Sequence, residues 1–256
     1  AGRHRDRGRA SDDTGHRGGA LKRWIWLGVS AAGVVVLACA ELSGPLRPTG
    51  YGFTLVAQDS VTADTTVDGV LYHQDSVYTD TVWFHWPQSH LPVRIWADTS
   101  GGLGLPGHVR DAIALWTKAM DYGEYSAVLV PDSTQADVLV YAGTPPAGAF
   151  TVQMHSMAPQ CSGATDIQVS TPDHKKLILP TRIYLENKYP LTEDSTTWCL
   201  GLTVAHELGH SMGLFQHSDS ADDLMSSNPL VPAPTARDIS TVLFLYHFRP
   251  DLVPVR

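Results

Sequence analysis

Residues 204–218 have the sequence Val-Ala-His-Glu-Leu-Gly-His-Ser-Met-Gly-Leu-Phe-Gln-His-Ser, and this stretch decides how the rest of the chain is interpreted. His206 and His210 are four residues apart, so on a helix they lie on one face, one turn from each other. Two imidazoles at that spacing can reach a single Zn²⁺ at about 2.0–2.1 Å. Glu207 points about 100° around the helix, where it can contact a zinc-bound water. Gly213 is typical of a helix end, after which the chain can double back with a third ligand.

This motif and its surroundings resemble a known family. The pattern His-Glu-x-x-His-x-x-Gly, a further His-Ser and then Leu-Met in a turn resembles the metzincins, and among them the matrixins, zinc endopeptidases similar to the matrix metalloproteases, here of bacterial type. Other segments are similar to matrixin elements in the same order: Leu91–Trp96, the helix with Trp116, Ala136–Val138 and Asp238–Tyr246. The resemblance covers about residues 86–250.

The third ligand departs from the family pattern by one residue. In that pattern the third histidine lies ten residues after the first, a position that Gln216 occupies here, while His217 comes one residue later. The eight-residue interval from His217 to Met225 matches the family's interval from third ligand to Met-turn, which favours a one-residue insertion in the loop. Imidazole also binds zinc better than a carboxamide does. We therefore predict His217 as the third ligand, with Asp219 as the next candidate.

The predicted ligand set implies hydrolytic chemistry. Three histidines (His206, His210 and His217) leave a fourth zinc position for water, as in catalytic zinc sites. Zinc lowers the pKa of such a water towards ~7 and polarises a carbonyl group, and Glu207 is the predicted catalytic residue, acting as general base. The resemblance implies a zinc-dependent endopeptidase whose protein or peptide substrate lies extended along a sheet edge.

Further parts of the site come from the same resemblance. Met225 is similar to the Met-turn residue that packs beneath the zinc, and residues 226–230 would form the wall of the pocket just beyond the cleaved bond. Asp222 and Asp223 are either braces for a ligand histidine or solvated carboxylates. No residues can be assigned to a structural Ca²⁺ site. Five other histidines lack ligand spacing and are expected at the surface: His73, His85, His90, His155 and His174.

The body as a whole predicts an α/β (α+β) fold. Helical spacing covers 106–120, about 196–212 and about 235–248; strand patterns occur at 91–97, 127–130, 136–141, 166–170 and 182–186, with a Gly/Pro-rich excursion at 142–165. We expect a zincin sandwich with a mixed twisted sheet, an active-site helix and a C-terminal helix. Residues 86–256 then form one catalytic domain of about 170 residues.

The amino-terminal part predicts export. Residues 1–23 form a basic tail, and 24–40 are 17 uncharged, mostly apolar residues, a pattern typical of a signal peptide or membrane anchor. Its end fits a lipobox with lipid on Cys39, ordinary cleavage, or an uncleaved anchor. Because the basic tail stays cytoplasmic, the body is expected in an extracellular or periplasmic location, with the membrane as partner through this segment. Residues 41–85 are expected to be a tether with at most a hairpin.

Net charge excludes one class of partner. The chain carries −8, from 18 basic and 26 acidic residues. Residues 1–23 hold seven basic and three acidic side chains, which leaves 11 basic and 23 acidic residues, or −12, for the rest. An acidic body repels phosphate backbones, so no nucleic-acid partner is expected.

The cysteines fit an exported body. Cys39 belongs to the apolar segment, which leaves Cys161 and Cys199 as a pair that is either a disulfide, the favoured interpretation in an oxidising compartment, or two separate thiols. Cys199, shortly before the motif, could tie the start of its helix to the 142–165 loop. The sequence has no Pro-Arg-Cys-Gly-like segment before the domain, which argues against latency through a thiolate on zinc.

Two other functions remain open at this point. The chain could be a zincin with a different third ligand, for which Asp238 is the nearby acidic candidate. It could also be a non-catalytic surface binding module that keeps the fold but not the activity, which the irregularity at Gln216 could signal. Retention of Glu207 argues against the module, because a purely structural zinc site does not need that carboxylate.

Overall fold

The computed structural model describes residues 50–67, 70–147, 151–153, 161–171, 173–187 and 193–256, and only the backbone at 58–79, 151–153, 161, 187 and 193–197. The basic tail 1–23 and the apolar segment 24–40 with Cys39 lie outside the described residues. Among the described helices, none combines the length and the apolar character needed to cross a membrane.

The described residues form a mixed α/β fold compatible with the α+β class. The strands are β1 Leu55–Val67, β2 Val70–Val82, β3 Val93–Ala97, β4 Ala127–Leu129, β5 Val138–Ala142, β6 Thr151–Gln153, β7 Cys161–Asp166, β8 Lys176–Ile178, β9 Thr181–Asn187 and β10 Val253–Val255. The helices are α1 Leu105–Ala119, α2 Glu193–Ser211 and α3 Ala236–Tyr246. Short 3-10 turns cover Gln88–His90 and Ser133–Gln135.

A six-stranded mixed sheet forms the centre, in the order β4-β3-β5-β9-β7-β6. The four strands from β4 to β9 are parallel, whereas β7 and β6 are added antiparallel at one end. Parallel strands are normally covered on both faces, and the inner residues Val93, Ile95, Val138 and Val140 are fully buried. Helix α2 packs against α1 and against β7 and β9, which places the His-Glu-x-x-His motif between a helix and the antiparallel end of the sheet.

Two buried indoles hold α2 in place. Trp116 of α1 donates from Nε1 to the carbonyl of Ala205 at 2.7 Å, and Trp86 donates from Nε1 to the carbonyl of Ser211 at 3.0 Å. Both tryptophans are at most 1% exposed. Because an indole N–H needs a partner when buried, these bonds fix both the middle and the end of α2 relative to the core.

Most predicted elements are confirmed. The three helices coincide with the expected ones to within about three residues at each end. The strand patterns at 91–97, 127–130, 136–141 and 182–186 correspond to β3, β4, β5 and β9. A Pro in the first turn of α1 and a capping box formed by Thr235 and Asp238 at the start of α3 account for two of the helix starts.

One strand prediction is wrong. The pattern at 166–170 predicts a strand, but β7 ends at Asp166 and lies within the Gly/Pro-rich excursion, together with β6. The short strand β8 was missed as well. β7 contains Ser162, Gly163, Ala164 and Thr165, which are small because the strand packs closely on α2, and a run of small residues carries little strand signal.

Residues 50–67 and 70–85, the described part of the predicted tether, contribute to the core. β1 and β2 form the hairpin that the sequence allowed. Its base enters the core, where Leu55, Ala57, Val82 and Phe84 are buried. The compact unit accordingly extends from Pro48 to Arg256 and does not begin at 86, because these apolar side chains complete the core.

Cys199 is disulfide-bonded and buried near the middle of α2. The backbone of Cys161 begins β7, but its side chain lies outside the described residues. The bond at Cys199 agrees with a disulfide in the body, whereas its pairing with Cys161 stays a prediction.

Candidate metal centre

The three predicted ligands meet at the end of α2. His206 Nε2 lies 3.0 Å from His210 Nε2, which in turn lies 3.3 Å from His217 Nε2. One potential ligand atom from each of the three residues falls within 4.8 Å of the others. His206 and His210 are fully buried and His217 is partly exposed, so the described part of the cluster reaches solvent through His217.

The other ring nitrogen of each helical histidine is bound to a main-chain carbonyl. His206 Nδ1 lies 2.7 Å from the carbonyl oxygen of Leu224, and His210 Nδ1 lies 2.5 Å from that of Leu214. A carbonyl oxygen only accepts, so in the neutral rings both Nδ1 atoms carry the proton and both Nε2 atoms carry a lone pair. Two lone pairs 3.0 Å apart repel each other, and a cation bound by both nitrogens removes that repulsion. Metal-ligating histidines are oriented in this way.

The carbonyl of Leu214 reaches His210 because the chain reverses at Gly213. Gly213 has φ 111°, in the region that favours glycine. A Cβ at this position would also overlap the carbonyl oxygen of Phe84. The reversal therefore requires glycine, and it sends the chain on to His217.

The other candidates for third ligand are engaged elsewhere. Gln216 donates from Nε2 to the carbonyl oxygen of Thr54 at 3.0 Å and to its hydroxyl at 2.8 Å. Asp219 is 83% exposed and pairs with Arg237 at 2.6 Å. Asp238 is fully buried and accepts main-chain N–H groups. In the described structure His217, and not Gln216, stands beside the helical histidines.

Burial keeps the helical histidines uncharged. Burial lowers the pKa of His206 to about 3, with His217 adding to the effect and the bond to Leu224 opposing it. Burial, together with the neighbouring imidazoles, lowers the pKa of His210 well below its usual value. The neutral ring is the form that binds metals. Three converging nitrogen donors, two of them with oriented lone pairs, fit a zinc ion with one further position open.

Glu207 is fully buried next to this cluster in the chain. The Thr165 hydroxyl donates to Oε2 at 2.6 Å, whereas Oε1 is buried and has no hydrogen-bond partner among the described residues. Burial raises the pKa of Glu207 to about 8, although the bond from Thr165 lowers it in part. A divalent cation nearby shifts such a pKa back down. The carboxylate is thus fixed through one oxygen and has the other available for a proton.

Strand β7 packs directly on this carboxylate. A Cβ on Gly163 would lie 2.5 Å from Glu207 Oε1 and 2.6 Å from Thr203 Cγ2, so the close approach of strand and helix needs a glycine. Thr165, two residues later, projects from the same face of the strand. Sequence reasoning missed both residues, because neither belongs to the motif; the run of small residues at 162–165 is the signal that could have pointed to a close approach of two elements.

Leu224 and Met225 connect the ligands to α3. Leu224 and Met225 are fully buried, and the Met225 carbonyl accepts the N–H of Ser218 at 2.8 Å, next to the third histidine. Asp238 accepts the N–H groups of Leu224 at 2.8 Å and of Met225 at 3.3 Å. Asp238, considered above only as an alternative ligand, therefore holds the peptide whose carbonyl orients His206.

Of the two adjacent aspartates, Asp223 is the one whose carboxylate is buried and hydrogen-bonded. It accepts from Ser218 Oγ at 2.5 Å and from Thr235 Oγ1 at 2.7 Å, and lies 3.1 Å from Arg237. Asp222 is exposed, as a solvated carboxylate would be. Asp223 thus fixes Ser218, the residue after the third histidine.

One expectation about the other histidines is wrong. His174 is buried rather than at the surface, with φ 46° and its Nδ1 2.8 Å from Asp80 Oδ2. The carboxylate of Asp80 supplies the partner that allows burial. His85 and His90 are partly exposed, while the side chain of His73 and all of His155 lie outside the described residues.

Comparisons with known proteins add no assignment. Neither a scan against protein-family models nor a search of curated proteins finds a match for this chain. A functional assignment therefore has to be argued from the residues of the site.

Proposed function

We propose that the chain is a zinc-dependent endopeptidase with a metzincin-type zincin fold, in which His206, His210 and His217 bind the zinc and Glu207 is the general base. The observation that carries the proposal is the convergence of three imidazoles beside a buried glutamate with one unpartnered oxygen. The reversal at Gly213 and the buried methionine Met225 support the resemblance to that family.

Bound zinc would supply a Lewis acid that polarises the scissile carbonyl and acidifies water. Glu207 would take a proton from the attacking water and deliver it to the departing amine. The hydroxyl of Thr165 holds Oε2 at 2.6 Å, which leaves Oε1 as the oxygen that moves the proton.

The wider setting belongs to the same proposal. The substrate is a protein or peptide, the wall formed by residues 226–230 contributes to its selection, and the working part acts outside the cell or in the periplasm. Attachment to the membrane would use residues 24–40 or a lipid on Cys39. The acidic body and the disulfide bond at Cys199 support an exported protein that does not bind nucleic acid.

Cleavage of a peptide library by the full chain tests this function. We expect cleavage by the wild type and a drop of about 10²–10⁴-fold in kcat for Glu207→Gln at equal zinc occupancy, because the variant cannot accept the proton. Glu124→Gln is the matched control, since Glu124 is partly exposed and its carboxylate accepts the N–H of Tyr122. Absence of cleavage by a zinc-loaded wild type would favour the non-catalytic binding module. Equal cleavage by wild type and Glu207→Gln would exclude Glu207 as the base.

A further inference from the structure

The side chain of Gln216 connects the loop that carries His217 to Thr54, near the beginning of the compact unit. Its amide nitrogen donates to both the carbonyl and the hydroxyl oxygen of Thr54, at 3.0 and 2.8 Å. The residue itself is exposed, so burial does not explain where its side chain lies. An exposed glutamine usually leaves its amide to water; here the amide is bound to one residue that lies 162 positions earlier in the sequence.

The Gln216 amide also lies close to the main chain at Gly52. A Cβ on Gly52 would overlap Gln216 Oε1 and come within 2.8 Å of its Cδ, so a larger residue at position 52 would displace the Gln216 side chain from its present position. The preceding residue of the loop, Phe215, donates its N–H to the carbonyl of Phe53 at 3.4 Å. Residues 52–54 therefore contact the loop through backbone as well as through the Gln216 side chain.

Residue 51 of the same segment also contacts a residue that supports His206. The Tyr51 hydroxyl donates to Asp238 Oδ1 at 2.7 Å. Asp238 in turn accepts the N–H of Leu224, whose carbonyl orients His206. Four residues, 51–54, thus contact the supports of both His206 and His217.

We propose that Gln216 and residues 51–54 form a brace that positions His217 and so sets how tightly the site holds zinc. The inference rests on the proposed zinc site. His217 lies in the loop that follows α2, and a loop residue has conformational freedom that zinc binding would have to remove. The two bonds from Gln216 to Thr54 restrict that freedom before the metal arrives. Gln216 is thus a positioning residue and acts through its neighbour, without touching the metal or the substrate.

The test compares zinc binding by full-length variants in competition with a chromogenic chelator. For Gln216→Ala we expect zinc affinity to fall about tenfold, the lower end of the range for groups that orient metal ligands. Gln88→Ala is the matched control, because Gln88 also donates its side-chain amide to main-chain carbonyls, those of Gly123 and Glu124. Its zinc affinity should equal that of the wild type.

Thr54→Val supplies an independent check, since it removes only the hydroxyl acceptor. In a double-mutant cycle the two changes should be non-additive, as expected for residues in direct contact. Thermal unfolding of the metal-free variants distinguishes a loss of positioning from a general loss of stability. If Gln216 acts by positioning His217, the variants bind zinc more weakly but have melting temperatures close to that of the wild type.

The outcomes separate the two proposals. A wild type that binds no zinc overturns the proposed function and the brace together. A wild type that binds zinc through the histidines, with Gln216→Ala binding equally well, overturns the brace alone. Equal weakening in Gln216→Ala and Gln88→Ala also overturns it, because the effect would then not depend on the contact with Thr54.

Discussion

Two clusters of buried polar side chains in this molecule differ in whether their polar atoms have bonding partners. The carboxylate of Asp137 is fully buried and accepts hydrogen bonds from the guanidinium groups of Arg94 and Arg256 and from the main-chain N–H of Arg94. His90 Nε2 lies 3.2 Å from the same carboxylate. At the histidine cluster the Nε2 atoms of His206 and His210 carry lone pairs that face each other, and Glu207 Oε1 is unpartnered among the described residues. The first cluster is complete without a ligand, whereas the second has unmet bonding capacity. The proposed zinc site would account for this unmet capacity, because buried polar groups normally have bonding partners.

The effect of zinc on stability should distinguish the histidine cluster from the Asp137 cluster most clearly. If the histidine cluster lacks only its metal, zinc at 100 times its dissociation constant should raise the free energy of unfolding by about 2.7 kcal/mol. Calorimetry with and without zinc measures this difference. His217→Ala should lose most of the gain and Asp137→Asn should retain it. An unchanged gain in His217→Ala would place the bound zinc elsewhere.

Removing the charge at Asp137 should have the next largest effect. Asp137→Asn weakens the paired bonds from Arg94 and the bond from Arg256, and we expect the protein to lose about 2 kcal/mol of stability, the range for hydrogen bonds to charged groups. Urea unfolding measures the loss. Zinc affinity should not change, because the residue shares no hydrogen bond with the histidine cluster. Asp132→Asn, at an exposed turn, is the control and should cost much less.

The smallest expected effect is the acid dependence of stability. Burial alone would raise the pKa of Asp137, but the bonds from Arg94 and Arg256 outweigh it and lower the pKa to about 2. Because the unfolded pKa is about 3.9, the folded state binds fewer protons between these values. This contribution is therefore fully present above about pH 4 and is lost as the pH falls through 2.

Urea unfolding at a series of pH values from 5 to 2 measures that dependence in metal-free protein. The wild type should lose stability more steeply than Asp137→Asn over this range. Equal slopes would mean that other carboxylates account for acid unfolding and that Asp137 has an ordinary pKa.

The sequence predicts the motif-bearing parts of the site and misses its supports. The spacing of His206 and His210 is a local property of one helix, and His217 follows in the adjoining loop. Thr165, Gly163 and the second role of Asp238 come from elements distant in the chain, whose contacts no periodicity encodes. The strand at 161–166 was missed because its residues are small, as close packing on α2 requires, and small residues have a low intrinsic preference for strands.

The bond between Tyr51 and Asp238 has a consequence for how the protein folds. These residues are 187 positions apart, and the contact of Tyr51 with Thr241 spans 190. Contacts of such separation form late, because closing long loops is entropically costly and requires the rest of the chain. During synthesis the residues around Tyr51 therefore stay without their final partners until α3 has emerged. The last support of the histidine cluster is completed only when both ends of the compact unit are present.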